Sequence, residues 1–319
     1  MIAPASSVAQ APRDSGTIAP AMSDAAPGRV SPAIIDFVDR YLRPAVNMAF
    51  RPTLTGVENL PVSGPFLLVA NHSAGLGLAE LASIACLYLE KVGPARPLAG
   101  FAHPIAFRFW PLDEVFREMG AIPSTYEAAE EALRAGVPLL VFPGGDHETM
   151  RPIWEAARVD LGGRRGFLKI AKRFGVPIVP LGIRGSHFTA PILWRSRALP
   201  YLLVLPRALG LKRWPLTALG LVGAAAIAAA PWSRRTRAAL TWAWLVSPAV
   251  MFPCVPWTIA MHIGEPIAPE ALFTDDDPTL ERALATVQAT LQRIVDAHQR
   301  DGHASDGEPG APACERRAG

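Results

Sequence analysis

The sequence of residues 64–75 is Gly-Pro-Phe-Leu-Leu-Val-Ala-Asn-His-Ser-Ala-Gly. Its apolar run, residues 66–70, predicts a buried strand, and the polar residues Asn71, His72 and Ser73 follow directly. In an α/β fold, residues that follow a strand lie at the carboxyl edge of the sheet, where ligands bind. Because histidine exchanges a proton near neutral pH, His72 is a candidate general base. The alternative is a histidine that only caps the turn.

Segments with strand-like and helix-like patterns alternate along the rest of the chain. Further buried strands are predicted at 138–142, which ends in a Pro-Gly-Gly turn, at 177–183 and at 257–263. Amphipathic helices are predicted at 31–50, with an interruption at Pro44, and at 78–91, 126–135, 164–174 and 280–298. This alternation predicts an α/β fold with a mixed, largely parallel sheet flanked by helices.

Composition divides the 319 residues into one domain and two tails. Residues 1–29 and 300–319 lack apolar periodicity, so both are predicted to be disordered tails. Residues 30–299 are enough for a single well-buried domain. The net charge of +3 includes no basic block of the kind that binds nucleic acid, so no nucleic-acid partner is predicted. The three cysteines are widely spaced, which is typical of unpaired thiols in a reducing compartment.

Two uncharged apolar segments, 214–233 and 238–257, depart from this alternation. Each has the length of a transmembrane helix, but a tilted or re-entrant hairpin and a pair of buried helices in a soluble core are alternatives. Basic residues flank the first segment on both sides, which favours a surface of anionic lipid. The sequence therefore predicts an apolar helical hairpin, 214–257, that associates with a membrane. If the hairpin inserts, the arginines between its arms face the cytoplasm by the positive-inside rule.

Four short blocks of sequence occur in the order found in the phospholipid/glycerol acyltransferase superfamily. They are Gly-Val-Glu-Asn-Leu-Pro at 56–61 with Val-Ala-Asn-His-Ser at 69–73, Gly-Ala-Ile-Pro at 120–123, Val-Phe-Pro-Gly-Gly at 141–145 and Val-Pro-Ile-Val-Pro at 176–180. Ile-Gly-Glu-Pro-Ile at 263–267 is similar to the usual closing strand. The resemblance covers residues 50 to 270, approximately, and implies a glycerolipid acyltransferase-like fold.

The resemblance also implies a reaction. Members of this superfamily transfer an acyl group from a thioester, carried by acyl-CoA or acyl carrier protein, to the hydroxyl of a glycerol-type acceptor. The chain is therefore expected to be an O-acyltransferase for a glycerolipid or related lipid alcohol, with the thioester as co-substrate and no cofactor. His72 corresponds to the base that removes the hydroxyl proton as the acceptor attacks. The expected partners are the lipid acceptor, the acyl donor and a membrane surface.

The sequence departs from the superfamily pattern at the partner of His72. Most members have an Asp five residues after the histidine, which orients the imidazole. Here that position is Gly77, and the first carboxylate that follows is Glu80. Glu80 is predicted to replace the Asp, with Glu148 and Asp146 as alternatives. If His72 has no acidic partner, the chain is a catalytically weakened member that binds lipid at the membrane without turnover.

The third block implies contacts to substrate. Its Phe-Pro-Gly-Gly form resembles relatives that acylate neutral acylglycerols or other lipid alcohols, whereas the phosphate-acceptor branch has Phe-Pro-Glu-Gly-Thr-Arg. Glycines there bring backbone N–H groups close to a ligand or a developing oxyanion. Arg164 is a candidate for binding a phosphate of CoA or of the acceptor, or else belongs to a solvated helix face. The residues expected to contact substrate are Asn71, Ser73, Phe142, Pro143, Gly144, Gly145, Glu148 and Arg164.

Other conspicuous residues are given structural roles. His103 precedes a proline in a loop, and His187 ends a predicted strand. Ser73 is not predicted to be a nucleophile, because no Gly-x-Ser-x-Gly elbow surrounds it. No metal site is predicted, because the histidines and carboxylates lack the spacing of known metal motifs.

Overall fold

A seven-stranded sheet lies at the centre of the protein, whose computed structural model describes residues 27–73, 75–108, 110–208 and 210–305. In chain order, the strands are β1 (Thr53–Thr55), β2 (Leu67–Ala70), β3 (Ala99–Ala102), β4 (Ala121–Pro123), β5 (Leu139–Val141), β6 (Ile178–Arg184), β7 (Ile192–Ser196), β8 (Trp214–Thr217) and β9 (Ala260–Ile263). The order in the large sheet is β1-β9-β6-β2-β5-β3-β4. The remaining two strands, β7 and β8, form a separate antiparallel ribbon.

Parallel pairing dominates the large sheet, as predicted. Strands β4, β3, β5, β2 and β6 run in one direction, and β9 and β1 run in the other. The middle strand, β2, is in register with β5 through Val69 and Val141 and with β6 through Ala70 and Leu181. The carboxyl ends of β2, β5 and β6 are therefore neighbours, and the residues that follow these strands meet at one edge of the sheet.

Helices surround the sheet. They are α1 (Pro32–Phe37), α2 (Arg43–Phe50), α3 (Leu78–Lys91), α4 (Leu112–Glu118), α5 (Tyr126–Arg134), α6 (Gly145–Thr149), α7 (Gly166–Phe174), α8 (Leu199–Leu203), α9 (Leu205–Ala208), α10 (Ala218–Ala229), α11 (Arg234–Val246), α12 (Pro269–Leu272) and α13 (Glu281–Ser305). A π-helical segment, Val38–Leu42, divides the predicted entry helix just before Pro44. A proline ring clashes with the carbonyl four residues earlier, and that carbonyl, of Arg40, lies in the widened segment.

The two faces of the sheet carry separate apolar cores, and β2 contributes to both. Leu67 and Val69 pack in the core that contains α5, α7 and α13. Leu68 and Ala70 pack on the other face, against α3. Because all four residues of β2 are buried, a continuous apolar run rather than an alternating one is its sequence signature.

The insertion, defined here as residues 191–257, has shorter helices than full membrane spans would require. The uncharged segment 214–233 begins as a strand, β8, and Thr217 then caps α10 by accepting a hydrogen bond from the Gly220 N–H. At 1.5 Å per residue, α10 and α11 are each about 20 Å long, less than the roughly 30 Å of a bilayer core. They do pack together as a helical hairpin, in which the Trp244 ring donates to the Gly220 carbonyl at 3.0 Å. Across the described parts of the chain, no helix is long and apolar enough to cross a membrane.

The described residues extend into both predicted tails. Gly28 is buried beside Ala99, and the Ser31 N–H donates to the Glu118 carbonyl at 2.9 Å, so ordered packing begins inside the predicted tail 1–29. The last helix, α13, continues to Ser305, inside the predicted tail 300–319. Residues 1–26 and 306–319, which hold the rest of both predicted tails, lie outside the described residues.

Candidate active site

Three loops meet at the carboxyl edge of the sheet. One follows β2 and contains His72, one follows β5 and contains Phe142, and one follows β6 and contains Ser186. Asn71 joins the first loop to the sheet, because its side-chain amide donates to the Ile183 carbonyl at 2.8 Å and its side-chain oxygen accepts from the Ile183 N–H at 2.7 Å. Asn71, a predicted substrate contact, is buried, and its side-chain nitrogen and oxygen are both hydrogen-bonded to β6.

His72 and Glu80 form the central pair of the site. The imidazole Nδ1 contacts Glu80 Oε1, and the carboxylate of Glu80 is fully buried in the first turn of α3. Glu80 also accepts from the Ser73 backbone N–H at 3.2 Å and from the Ser73 hydroxyl at 3.0 Å. The Phe142 ring lies against the imidazole, with 4.3 Å between ring centroids. Of the three carboxylates considered as partners for the imidazole, Glu80 is the one in contact with it.

The absence of a side chain at Gly77 leaves room for the His72–Glu80 pair. Its φ of +69° is in the left-handed region, and a Cβ there would overlap His72 Cε1 and lie 3.0 Å from Glu80 Oε1. The position that holds an Asp in most superfamily members therefore has no room for a side chain in this protein. The carboxylate comes instead from the helix that begins one residue later.

Glu148 holds the backbone of the His72 loop rather than the ring. Its carboxylate is fully buried and accepts from the His72 N–H and from the Asp160 N–H, each at 3.0 Å. Burial raises the pKa of Glu148 to about 7, against the lowering effect of Arg151, whose guanidinium lies 3.7 Å away. A Cβ at Gly144 would overlap the Glu148 side chain. The glycine of the third block therefore makes room for this carboxylate.

Asp146 connects the third block to two arginines. It pairs with Arg164 and, at 2.9 Å, with Arg213 from the insertion. Burial alone would raise the pKa of Asp146, but the hydrogen bonds and charges of both arginines outweigh it and lower the pKa. A second link to the insertion is the 2.6 Å hydrogen bond that Arg195 donates to the His147 carbonyl. Arg164, a predicted phosphate ligand, thus already has an ion-pair partner within the protein.

A cavity of about 270 Å³ opens beside the third block at the ends of β3 and β5. Its walls combine aromatic and aliphatic side chains with three hydroxyl groups and one arginine, and two of the predicted substrate contacts, Pro143 and Arg164, belong to them. The lining residues are Phe101, Ser124, Thr125, Tyr126, Val141, Pro143, Arg164, Gly166, Phe167 and Ile170.

Three buried polar residues near His72 were not predicted to take part in the site. Ser186 is fully buried, and its hydroxyl contacts that of Ser73. Arg151 is 1% exposed and donates to the Arg158 carbonyl. Burial lowers the pKa of His187 to about 3, with the charges of Arg151 and His72 acting in the same direction. None of them belongs to a sequence block, and only their burial with polar neighbours reveals them.

Comparison with known proteins identifies the class. The family model described as Acyltransferase matches residues 51–184, a span that contains β1 to β6 and the His72–Glu80 pair. Residues 51–184 therefore belong to the phospholipid/glycerol acyltransferase superfamily, as the sequence blocks predicted.

Individual relatives cover different parts of the chain. An uncharacterized protein of Mycobacterium tuberculosis is 30% identical over 255 residues, which are 77% of this chain and 62% of that protein. Phytyl ester synthase 2, chloroplastic, of Arabidopsis thaliana is 29% identical over 147 residues, 44% of this chain and 20% of that protein. A crystal structure of the 1-acyl-sn-glycerophosphate (LPA) acyltransferase PlsC from Thermotoga maritima aligns with 82% of this chain and 80% of that chain, at 18% identity and a TM-score of 0.46. The chain spans about three fifths of the length of the mycobacterial relative.

The contact at Gly77 predicts a specific loss of stability. Gly77→Ala and Gly136→Ala both place a side chain at a φ near +70°, but a Cβ at Gly136 meets nothing within 4 Å. Backbone strain is expected to cost each variant about 1–2 kcal/mol. Gly77→Ala is expected to lose about 1–3 kcal/mol more, because the new methyl group collides with the imidazole. Urea unfolding of both variants measures the difference, and equal losses would show that the ring does not need this space.

The raised pKa of Glu148 predicts a pH-dependent stability. The carboxyl titrates near pH 7 in the folded protein and near its usual 4.5 in the unfolded chain. The folded state therefore binds this proton more tightly, so the stabilisation is complete below the unfolded value and is lost as the pH rises through the folded value. From about pH 5 to about pH 8, the wild type is expected to lose on the order of 3 kcal/mol relative to Glu148→Gln. Identical pH slopes in urea unfolding would contradict the assignment.

Proposed function

We propose that the protein is an O-acyltransferase that moves a fatty acyl group from an acyl thioester to the hydroxyl of a glycerolipid or related lipid alcohol. The observation that carries this proposal is the contact between His72 Nδ1 and the buried Glu80 carboxylate, within the region that matches the acyltransferase family. Acyl-CoA or acyl carrier protein is the proposed donor.

His72 acts as the general base in this proposal. The acceptor oxygen attacks the thioester carbonyl carbon while its proton passes to His72 Nε2. The new C–O bond gives a tetrahedral oxyanion, whose collapse breaks the C–S bond. The departing thiolate takes the proton from the imidazolium and leaves as a thiol. Glu80 orients the ring through Nδ1 and stabilises its protonated form.

The sequence of the third block supports an acceptor with a neutral head group. The Glu and the Arg of the phosphate-acceptor pattern Phe-Pro-Glu-Gly-Thr-Arg are replaced here by Gly144 and His147. Arg164, which lines the cavity beside the third block, is already paired with Asp146, so a phosphate would compete with this ion pair. A relative named for the synthesis of phytyl esters agrees with a lipid alcohol as acceptor.

The insertion supports association with an anionic membrane surface at the cytoplasmic face. Residues 161–264 contain no Asp or Glu, whereas residues 191–257 contain eight Lys and Arg. The same segment exposes large apolar side chains to solvent. They include Trp194, Tyr201, Leu202, Val204, Leu205, Leu221, Val222, Trp232, Leu240 and Trp242. An apolar surface that carries only positive charge is complementary to a bilayer with anionic lipid, on which short helices lie without spanning.

Removal of the proposed base is expected to stop turnover. His72→Ala should lower acceptor-dependent thiol release from acyl-CoA by a factor on the order of 10² to 10⁴. Glu80→Gln should lower it as well, since a neutral amide does not stabilise the imidazolium. His262→Gln is the matched control: that ring contacts Thr55 Oγ1 on the outer strands, and its loss should change the rate by less than about twofold.

Three results would overturn parts of this proposal. Equal acceptor-dependent thiol release by the wild type and His72→Ala would show that His72 is not the base. No release by the wild type with a panel of lipid acceptors would leave lipid binding without turnover as the role of the protein. Mass spectrometry of the products identifies the acceptor, and exclusive acylation of lysophosphatidate would contradict the neutral head group.

Membrane association is expected to depend on the exposed arginines of the hairpin. The double variant Arg234→Gln/Arg235→Gln should lose about 2 kcal/mol of binding free energy, or about 30-fold in affinity, for vesicles that contain phosphatidylglycerol. The control Lys172→Gln/Arg173→Gln removes the same charge from an exposed part of α7 outside the insertion. Vesicle co-sedimentation measures both. Equal losses in the two variants, or no binding by the wild type, would exclude the insertion as the docking surface.

A further inference from the structure

The buried hydroxyl groups of Ser73 and Ser186 contact each other, and that of Ser73 also contacts Glu80 Oε2, the carboxylate oxygen that is not in contact with the imidazole. We propose that Ser186, acting through Ser73, is a positioning residue that holds Glu80 in place and fixes the tautomer of His72. This inference rests on the proposed function, because it assigns a role in preparing the base. Ser186 belongs to the loop after β6 and is 113 residues from Ser73 in the chain.

The direction of hydrogen bonding in this group follows from the number of available hydrogens. The Ser73 hydroxyl donates to Glu80 Oε2 at 3.0 Å. A serine has a single hydroxyl hydrogen, so Ser73 can only accept in its contact with Ser186. The donors therefore run in one direction, from Ser186 to Ser73 and from Ser73 to Glu80.

Burial makes these donors necessary. Glu80, Ser73 and Ser186 are each at most 1% exposed, so solvent does not supply hydrogen bonds to the carboxylate. A buried carboxylate oxygen without a donor destabilises the ionised state. Oε1 has the Ser73 N–H and His72 Nδ1, and Oε2 has the Ser73 hydroxyl. With both oxygens held, Glu80 cannot rotate away from the imidazole.

The same arrangement determines which ring nitrogen carries the proton. An ionised carboxylate only accepts hydrogen bonds, so His72 Nδ1 must be the N–H that faces Glu80. In the neutral imidazole, Nε2 then carries the lone pair that accepts the proton of the acceptor hydroxyl. The hydroxyl pair thus acts on the reaction through the carboxylate, without touching substrate.

The backbone holds Ser186 where this contact requires it. Its carbonyl accepts from the Thr189 N–H at 3.0 Å and from the Thr189 hydroxyl at 2.7 Å, which closes a single turn after β6. Gly185, immediately before it, has a φ of +91°, and a Cβ there would overlap the Thr258 carbonyl. The backbone of Ser186 is therefore held by the turn after β6 and by the close approach of Thr258, outside the His72 loop.

Enzyme kinetics of serine variants test the proposal. Ser186→Ala is expected to lower kcat roughly 10-fold, with KM for the thioester unchanged, because an unsupported carboxylate orients the ring poorly. Ser73→Ala interrupts the same chain and should cost at least as much, and the double variant should be no worse than Ser73→Ala alone. Ser186→Thr retains a hydroxyl and should recover activity. The control is Ser83→Ala, a fully buried serine of α3 whose hydroxyl donates to the Ala79 carbonyl instead.

Nitrogen NMR of the histidine rings provides a readout that does not depend on turnover. The wild-type His72, assigned by comparison with His72→Gln, is expected to be the Nδ1–H tautomer, and Ser186→Ala should show a mixture of tautomers. An Nε2–H tautomer in the wild type, an unchanged spectrum in Ser186→Ala, or additive kinetic losses in the double variant would overturn the proposal. If the tautomers behave as expected but no acceptor supports thiol release, the proposed function fails and the role of Ser186 stands.

Discussion

The site depends on one interaction, the contact between a fully buried carboxylate, that of Glu80, and the Nδ1 of His72. Burial strengthens the contact, but every oxygen of an ionised group that is removed from water also needs a hydrogen-bond donor. This requirement explains the surrounding sequence. Gly77 has no side chain where one would displace the ring, and Ser73 supplies a backbone and a side-chain donor. The pair is held by α3 and by the loops after β2 and β6, and so it forms only when the sheet has formed.

A second buried carboxylate, Glu148, stabilises the same loop from the third block. It holds the His72 backbone while Glu80 holds the ring, so the two acids fix different parts of one residue. The third block departs from the phosphate-acceptor sequence for a reason that is visible in its packing. Gly144 accommodates the Glu148 side chain, and Asp146 pairs with Arg164 and Arg213. The change in sequence thus alters both the support of the His72 loop and the arrangement of charge beside it.

The sequence predicted the elements that are determined by their own residues. The strand β2 is buried on both faces and therefore has a continuous apolar run, and α3 is buried on one face and therefore has a helical periodicity. Both elements are found where they were expected. Sequence blocks located His72, and the count of residues to the next carboxylate indicated Glu80. The roles of Asn71 and Ser186 could not be predicted, because their partners are more than 100 residues away and depend on the order of the strands. The start of the segment 214–233 was predicted as helix, because composition alone does not distinguish a buried strand, β8, from the start of an apolar helix.

The position of the insertion relates the membrane to the site. Its residue Met251 packs directly on Gly75, just after the His72 loop, where a Cβ would lie 2.9 Å from Met251 atoms. On the other side, its residue Arg213 pairs with Asp146 of the third block. The segment with the apolar, acid-free surface therefore touches both loops beside His72. Under the proposed function, if that surface lies on a bilayer, a lipid alcohol would reach His72 from the membrane without passing through bulk water, where transfer of its apolar chain would cost about 0.8 kcal/mol per methylene group. A short hairpin that rests on the membrane would meet this requirement as well as a spanning helix, because what matters is the distance from the lipid surface to His72.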